Sequence, residues 1–164
     1  MNICYLSHIL APQTPTYGNA ERGVGIKSLK SIKKGDSCNT FWIGIENHIG
    51  THIDCPAHFF ADGMRVTDYP AEFWLFCKPQ VMSVKIQPGQ ILNREDLHAK
   101  IAPGSDLLLL QSGWDEWRDQ DVYSLNNPGL HPDIGHWLRK DYPSVRAVGF
   151  DWISVSSYQH REIG

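Results

Sequence analysis

Four consecutive leucines, Leu107 to Leu110, stand between Asp106 and the turn pair Ser112-Gly113. An apolar run of that length has no polar face to offer water, so it reads as a strand buried on both faces. Other stretches also read as strands. Thr40 to Asn47 is rich in aromatic and β-branched residues, Gln80 to Ile86 alternates before Pro88-Gly89, and Val145 to Phe150 is a shorter apolar run ending at Asp151. Helices are fewer. Asn93 can cap a short helix running towards Lys100, with Asp96 three residues on. His131 to Lys140 carries Pro132 in its first turn and Ile134, Trp137 and Leu138 on one face, and Pro143 helps to end it. The expected fold class is therefore mixed and strand-rich, α/β or α+β.

The chain has 164 residues, 41% hydrophobic and 20% charged, enough to bury such a strand inside one domain. Lys plus Arg number 15 and Asp plus Glu 18, so no basic excess points to nucleic acid or an anionic membrane. No apolar run reaches transmembrane length, and Met1 to Leu10 lacks a basic start and a small-residue cleavage site. The reading is a soluble, cytoplasmic protein. Cys4, Cys38, Cys55 and Cys77 contain no C-x-x-C pair and are expected to be reduced and mostly buried. The glycine- and proline-rich segment Ala11 to Asp36 reads as a long loop with one strand inside it. It is either a functional arm or a surface excursion.

The chemistry-bearing segment is His48-Ile49-Gly50-Thr51-His52-Ile53-Asp54-Cys55-Pro56-Ala57-His58. His48, His52, Asp54 and His58 all fall at even positions, which share a face in extended chain. On a helix, Asp54 would lie about 200° from His52, and Gly50 and Pro56 also disfavour a helix. The expectation is a strand or extended loop continuing from Asn47, with Ile49, Ile53 and Ala57 turned into a core and Cys55 facing away from the site. Two imidazoles and a carboxylate on one face suit zinc, manganese or iron, and leave room for a water. A buried polar network without metal is the alternative. His58, one step beyond, suits proton transfer near neutral pH.

This string resembles the H-x-G-T-H-x-D-x-P-x-H signature of the cyclase-like metal-dependent hydrolases, which include bacterial kynurenine formamidase and isatin hydrolase. The match is complete at every fixed position. Pro12 to Pro15, Phe59-Phe60-Ala61-Asp62-Gly63, and Val148-Gly149-Phe150-Asp151 with Ser154-Val155 extend it more weakly. The resemblance implies a swivelling β/β/α fold, unlike a Rossmann sheet, and a homodimer or higher homo-oligomer. It matches His48, His52 and Asp54 to metal ligands, Asp54 bridging where two ions bind, with zinc expected before manganese. It matches His58 to the proton donor and acceptor. The implied reaction is hydrolysis of a non-peptide amide or a lactam, in which metal-bound hydroxide attacks and His58 protonates the leaving nitrogen. The small-molecule substrate would be a formyl-amide such as N-formylkynurenine. A lactam or lactone, or no substrate at all in a metal-binding homologue, are the alternatives.

Family members run several tens of residues further, to another metal-binding histidine and a glutamate. His160 and Glu162 come too early to match them, so residues 1–164 are expected to be a single domain of this family that is C-terminally incomplete. Phe59, Phe60 and Trp74 are the candidate substrate-binding residues from an aromatic group that also holds Phe41, Trp42, Tyr69 and Phe73. Ordinary packing is the competing role for these rings. Trp114, Trp117 and Trp137 are expected in the core or at an interface. Asp151 is expected either to support a ligand histidine or to cap a loop.

Overall fold

The structure, a computed structural model, describes residues 3, 5, 7–97 and 101–163. They form two compact units, one from residues 1–16 and 20–68 and the other from residues 17–19 and 69–164.

The first unit is built on an antiparallel ribbon of β1 (Val24–Lys30) and β2 (Thr40–Ile45). β1 is the strand expected inside the long loop. Cross-strand partners run from Val24 opposite Ile45 to Ser28 opposite Phe41, with a register shift before Lys30. The connection holds a 3-10 turn, Ile32–Lys34, closed by Gly35 at φ 93°. Ser31 N–H donates to the Asp36 carboxylate and Ile32 N–H to the Asn39 side-chain oxygen, pinning that turn at both ends. The apolar side chains of the ribbon, Ile26, Phe41, Ile43 and Ile45, are exposed, and the unit's buried residues include Thr14, Val24 and Ile49.

The second unit holds a three-stranded parallel sheet in the order β3 (Pro79–Ser83), β5 (Leu107–Gln111), β7 (Ala147–Phe150). A two-residue parallel pair joins β4 (Ile91–Leu92) to β6 (Gly129–Leu130). The helices are α1 (Asp121–Leu125) and α2 (Pro132–Asp141). The leucine run is the central strand. Its burial alternates, however: Leu108 and Leu110 are enclosed while Leu107 and Leu109 are half-buried. The expectation of equal burial on both faces is corrected, because only one face meets the main core. That core comprises Met82, Val84, Leu92, Leu97, Ile101, Leu108, Leu110, Trp114, Tyr123, Ile134, Leu138 and Trp152.

Helix α2 follows the spacing expected of it. Ile134 and Leu138 enter the core and Trp137 packs beside them under the Arg94 guanidinium. Asn93 and Asp96 form a capping box, but the turn they cap, Arg94–Asp96, is 3-10. The rest of that expected helix, towards Lys100, lies partly outside the described residues. Trp114 is a core residue, whereas Trp117 is 45% exposed. Cys38, Cys55 and Cys77 are free thiols, as expected, but none is fully buried and Cys77 is exposed. Cys77 sits on the approach to β3, where its backbone N–H donates to Asp106. Cys4 lies outside the described residues. No helix among the described residues is long and apolar enough to cross a membrane.

Asp106 and Arg146 tie the entry of this sheet together. Asp106 accepts N–H donors from Cys77 at 2.7 Å and Lys78 at 2.9 Å. Arg146 lies 3.5 Å from the same carboxylate, donates to the Phe73 and Leu75 carbonyls, and stacks on Phe73 and Phe76. Burial works to raise the Asp106 pKa, but the two N–H donors and the Arg146 charge outweigh it and hold the carboxyl below its ordinary value. A carboxyl depressed in the folded state stabilises above its unfolded pKa of about 3.9, and that contribution is lost as pH falls through the lower folded value. Asp106→Asn is therefore expected to lower the melting temperature at pH 7, with the gap to wild type closing below about pH 4. Arg146→Ala, which strands two carbonyls, is expected to cost about 2 kcal/mol in denaturant unfolding.

Candidate metal centre

The His48–His58 segment is not one extended strand. β2 ends at Ile45, residues 47–50 turn, residues 52–55 run irregularly and Pro56–His58 forms a 3-10 turn. Gly50 at φ 66° makes the reversal, a left-handed conformation that glycine adopts at least cost. A Cβ there would also stand 2.5 Å from the Leu10 side chain. The expected alternation fails for the same reason: Ile49 is buried, but Ile53 and Ala57 are exposed. Cys55 is half-buried. Burial first, then the charges of Asp54 and Asp68, raise its thiol pKa above the ordinary value.

The turn nevertheless gathers the four side chains. His48 Nδ1 lies 2.8 Å from Asp54 Oδ1 and 3.3 Å from His52 Nε2, and His52 Nε2 lies 3.4 Å from the same Asp54 oxygen. His52 Nδ1 sits 2.9 Å from the Gly50 carbonyl. Donation to that carbonyl leaves Nε2 as a lone pair aimed at the other two atoms. Zinc bonds of about 2.0–2.1 Å at tetrahedral angles place ligand atoms about 3.3–3.4 Å apart. The observed triangle of 2.8, 3.3 and 3.4 Å is close to one face of that tetrahedron, so this donor set fits a small divalent cation. The Gly50 carbonyl behind His52 is the kind of outer partner that orients a ligand imidazole.

His58 borders the triangle. Its ring centroid is 3.8 Å from that of His48, tilted by 42°, and 4.3 Å from that of Phe59. His48, Asp54 and His58 also offer one donor atom each within 4.8 Å of one another. Phe59 and Phe60 are 56% and 68% exposed, so neither is spent on core packing here. Trp74 belongs to the second unit, where it packs edge-on against Tyr69 and Phe73. Asp151 caps a loop: it accepts from Ser112 N–H, Ser112 hydroxyl and Gly113 N–H, at the end of β5. His160 and Glu162 pair with each other at 3.7 Å.

The model of the family described as "Putative cyclase" matches residues 4–157, nearly the whole chain. The chain belongs to the cyclase family. An uncharacterized protein of Haemophilus influenzae is 28% identical over 73% of the chain and 89% of its own length. A kynurenine formamidase of Geobacillus thermodenitrificans is 29% identical over 77% of the chain, and cyclase-like protein 2 of Oryza sativa subsp. japonica is 25% identical over 94%. The chain spans 57% and 58% of those two relatives' lengths. The solved structure of a "potential metal-dependent hydrolase with cyclase activity" superposes with a TM-score of 0.69 at 20% identity, over 95% of this chain and 70% of that one. The mixed α/β fold of the cyclase-like hydrolases, expected from the sequence, is thus the fold of this cyclase-family chain.

Proposed function

We propose that this chain is a metal-dependent hydrolase of a non-peptide amide, and that its substrate class is the formyl-amides, with N-formylkynurenine as the leading compound. The observation that carries the reading is the triangle of His48, His52 and Asp54 donor atoms at the spacing of a tetrahedral face. The family, the kynurenine formamidase relatives and the solved structure named for metal-dependent hydrolysis support it.

A divalent cation, zinc before manganese, would supply an acidified water and polarise the scissile carbonyl. The chain's own residues do the rest. His48, His52 and Asp54 hold the ion, and the Gly50 carbonyl keeps the His52 lone pair turned towards it. His58, exposed beside His48, takes up a proton and delivers it to the leaving nitrogen. Phe59, in contact with the His58 ring, offers a flat apolar face to an aryl group. Phe60, exposed beside Phe59, belongs to the same proposed substrate-binding set, and a homo-oligomer is part of the same proposal.

The test is elemental analysis of protein purified without added metal, followed by turnover of N-formylkynurenine and isatin. At least one equivalent of zinc or manganese per chain, with faster hydrolysis of the formyl-amide, is expected. Absence of metal even after reconstitution, or loaded protein inert towards both compounds, would overturn the reading.

A further inference from the structure

Residues 55–64 form a loop closed on itself. His58 N–H donates to the Cys55 carbonyl at 2.8 Å, Phe59 and Phe60 N–H to that of Pro56 at 3.1 and 2.9 Å, and Gly63 N–H to that of Phe60 at 2.9 Å. Ala57 N–H then reaches back to the Met64 carbonyl at 3.1 Å. That last bond draws residue 63 against the peptide that precedes His58. A Cβ on Gly63 would stand 2.4 Å from the Pro56 carbonyl carbon, 2.5 Å from the Ala57 nitrogen and 2.6 Å from the Pro56 oxygen. All three are backbone atoms, so no side-chain rotation relieves the clash. Gly63 is not among the glycines of positive φ, so what the position demands is space rather than an unusual backbone.

We infer that Gly63 is the positioning residue for His58: its missing side chain lets the Pro56–His58 turn sit where it brings the His58 ring against His48. The inference rests on the proposed role of His58. Ordinary contact begins at 3.4 Å, so a side chain at 63 displaces the Pro56–Ala57 peptide by about 1 Å, and a misplacement of about 1 Å is enough to cost about a hundredfold in rate. His48, His52 and Asp54 precede the loop and keep their mutual spacing.

The experiment compares Gly63→Ala with wild type on the zinc-loaded chain, by N-formylkynurenine kinetics and by amide hydrogen exchange at Ala57 and His58. Gly135→Ala, at an open helical position in the second unit, is the control that leaves turnover unchanged. The expected result is wild-type metal content, kcat lower by about a hundredfold with KM within about threefold, and faster exchange at Ala57. A kcat within threefold of wild type would overturn the inference. If wild type binds metal but hydrolyses nothing, the reading of function falls by itself. Exchange then decides the positioning, and unchanged protection at both amides overturns it. Should Gly63→Ala not fold, Pro56→Ala loosens the opposing backbone without adding a Cβ. A kcat drop of about tenfold with metal retained is expected there, and no drop overturns the inference.

Discussion

Asp54→Ala is expected to leave the chain unable to retain zinc at equimolar concentration and to abolish hydrolysis with it. Asp54 is the one carboxylate among the four gathered side chains, and its Oδ1 closes the triangle with both His48 Nδ1 and His52 Nε2. It also belongs to the donor set that includes His58, so neither arrangement survives its loss. Two neutral imidazoles remain, without the charge that offsets desolvation of a dication. Outer partners of a metal site are worth about 10–100-fold in affinity, so a direct anionic ligand is expected to cost more than about a hundredfold. Asp54→Asn keeps the shape and loses the charge, and should fall between the two. Chelator competition measures all three. Wild-type affinity in Asp54→Ala would remove Asp54 from the ligand set.

The candidate site was legible in the sequence as a set of residues that come together, but not as a conformation. The even spacing of His48, His52, Asp54 and His58 suggested one face of an extended chain, yet they meet because Gly50 reverses the chain and Pro56 opens a 3-10 turn. A spacing argument detects a period; it does not detect a reversal that restores proximity in another way. Helix α2 was legible because Pro132, Ile134 and Leu138 encode its start and its buried stripe locally. The pair β4–β6 was not, because two-residue strands depend on Ile91 meeting Gly129 from a distance. The same holds for Gly63, whose need for space arises from a peptide seven residues earlier. Asp151 was read with two roles open, and only the folded loop, with three donors from Ser112 and Gly113, decides for capping.

His58→Ala is expected to separate binding from turnover: metal content stays at the wild-type level while kcat falls by about 10²–10⁴-fold, the usual worth of a positioned acid–base group. The separation follows from the donor atoms. His48, His52 and Asp54 close a triangle with sides of 2.8, 3.3 and 3.4 Å, and His58 lies beside it with its ring centroid 3.8 Å from that of His48. A tetrahedral ion spans edges of about 3.3–3.4 Å, so on the proposed reading the triangle would hold it, with His58 at its border. An exposed imidazole there can exchange protons with solvent and still reach a leaving nitrogen, which a fully coordinated imidazole cannot do, because its lone pair is committed. The same reasoning sets the opposite expectation for His52→Ala, which opens the triangle and should lose both metal and turnover. If His58→Ala lost metal and His52→Ala kept it, His58 would be the third ligand, and proton transfer would have to fall to another group.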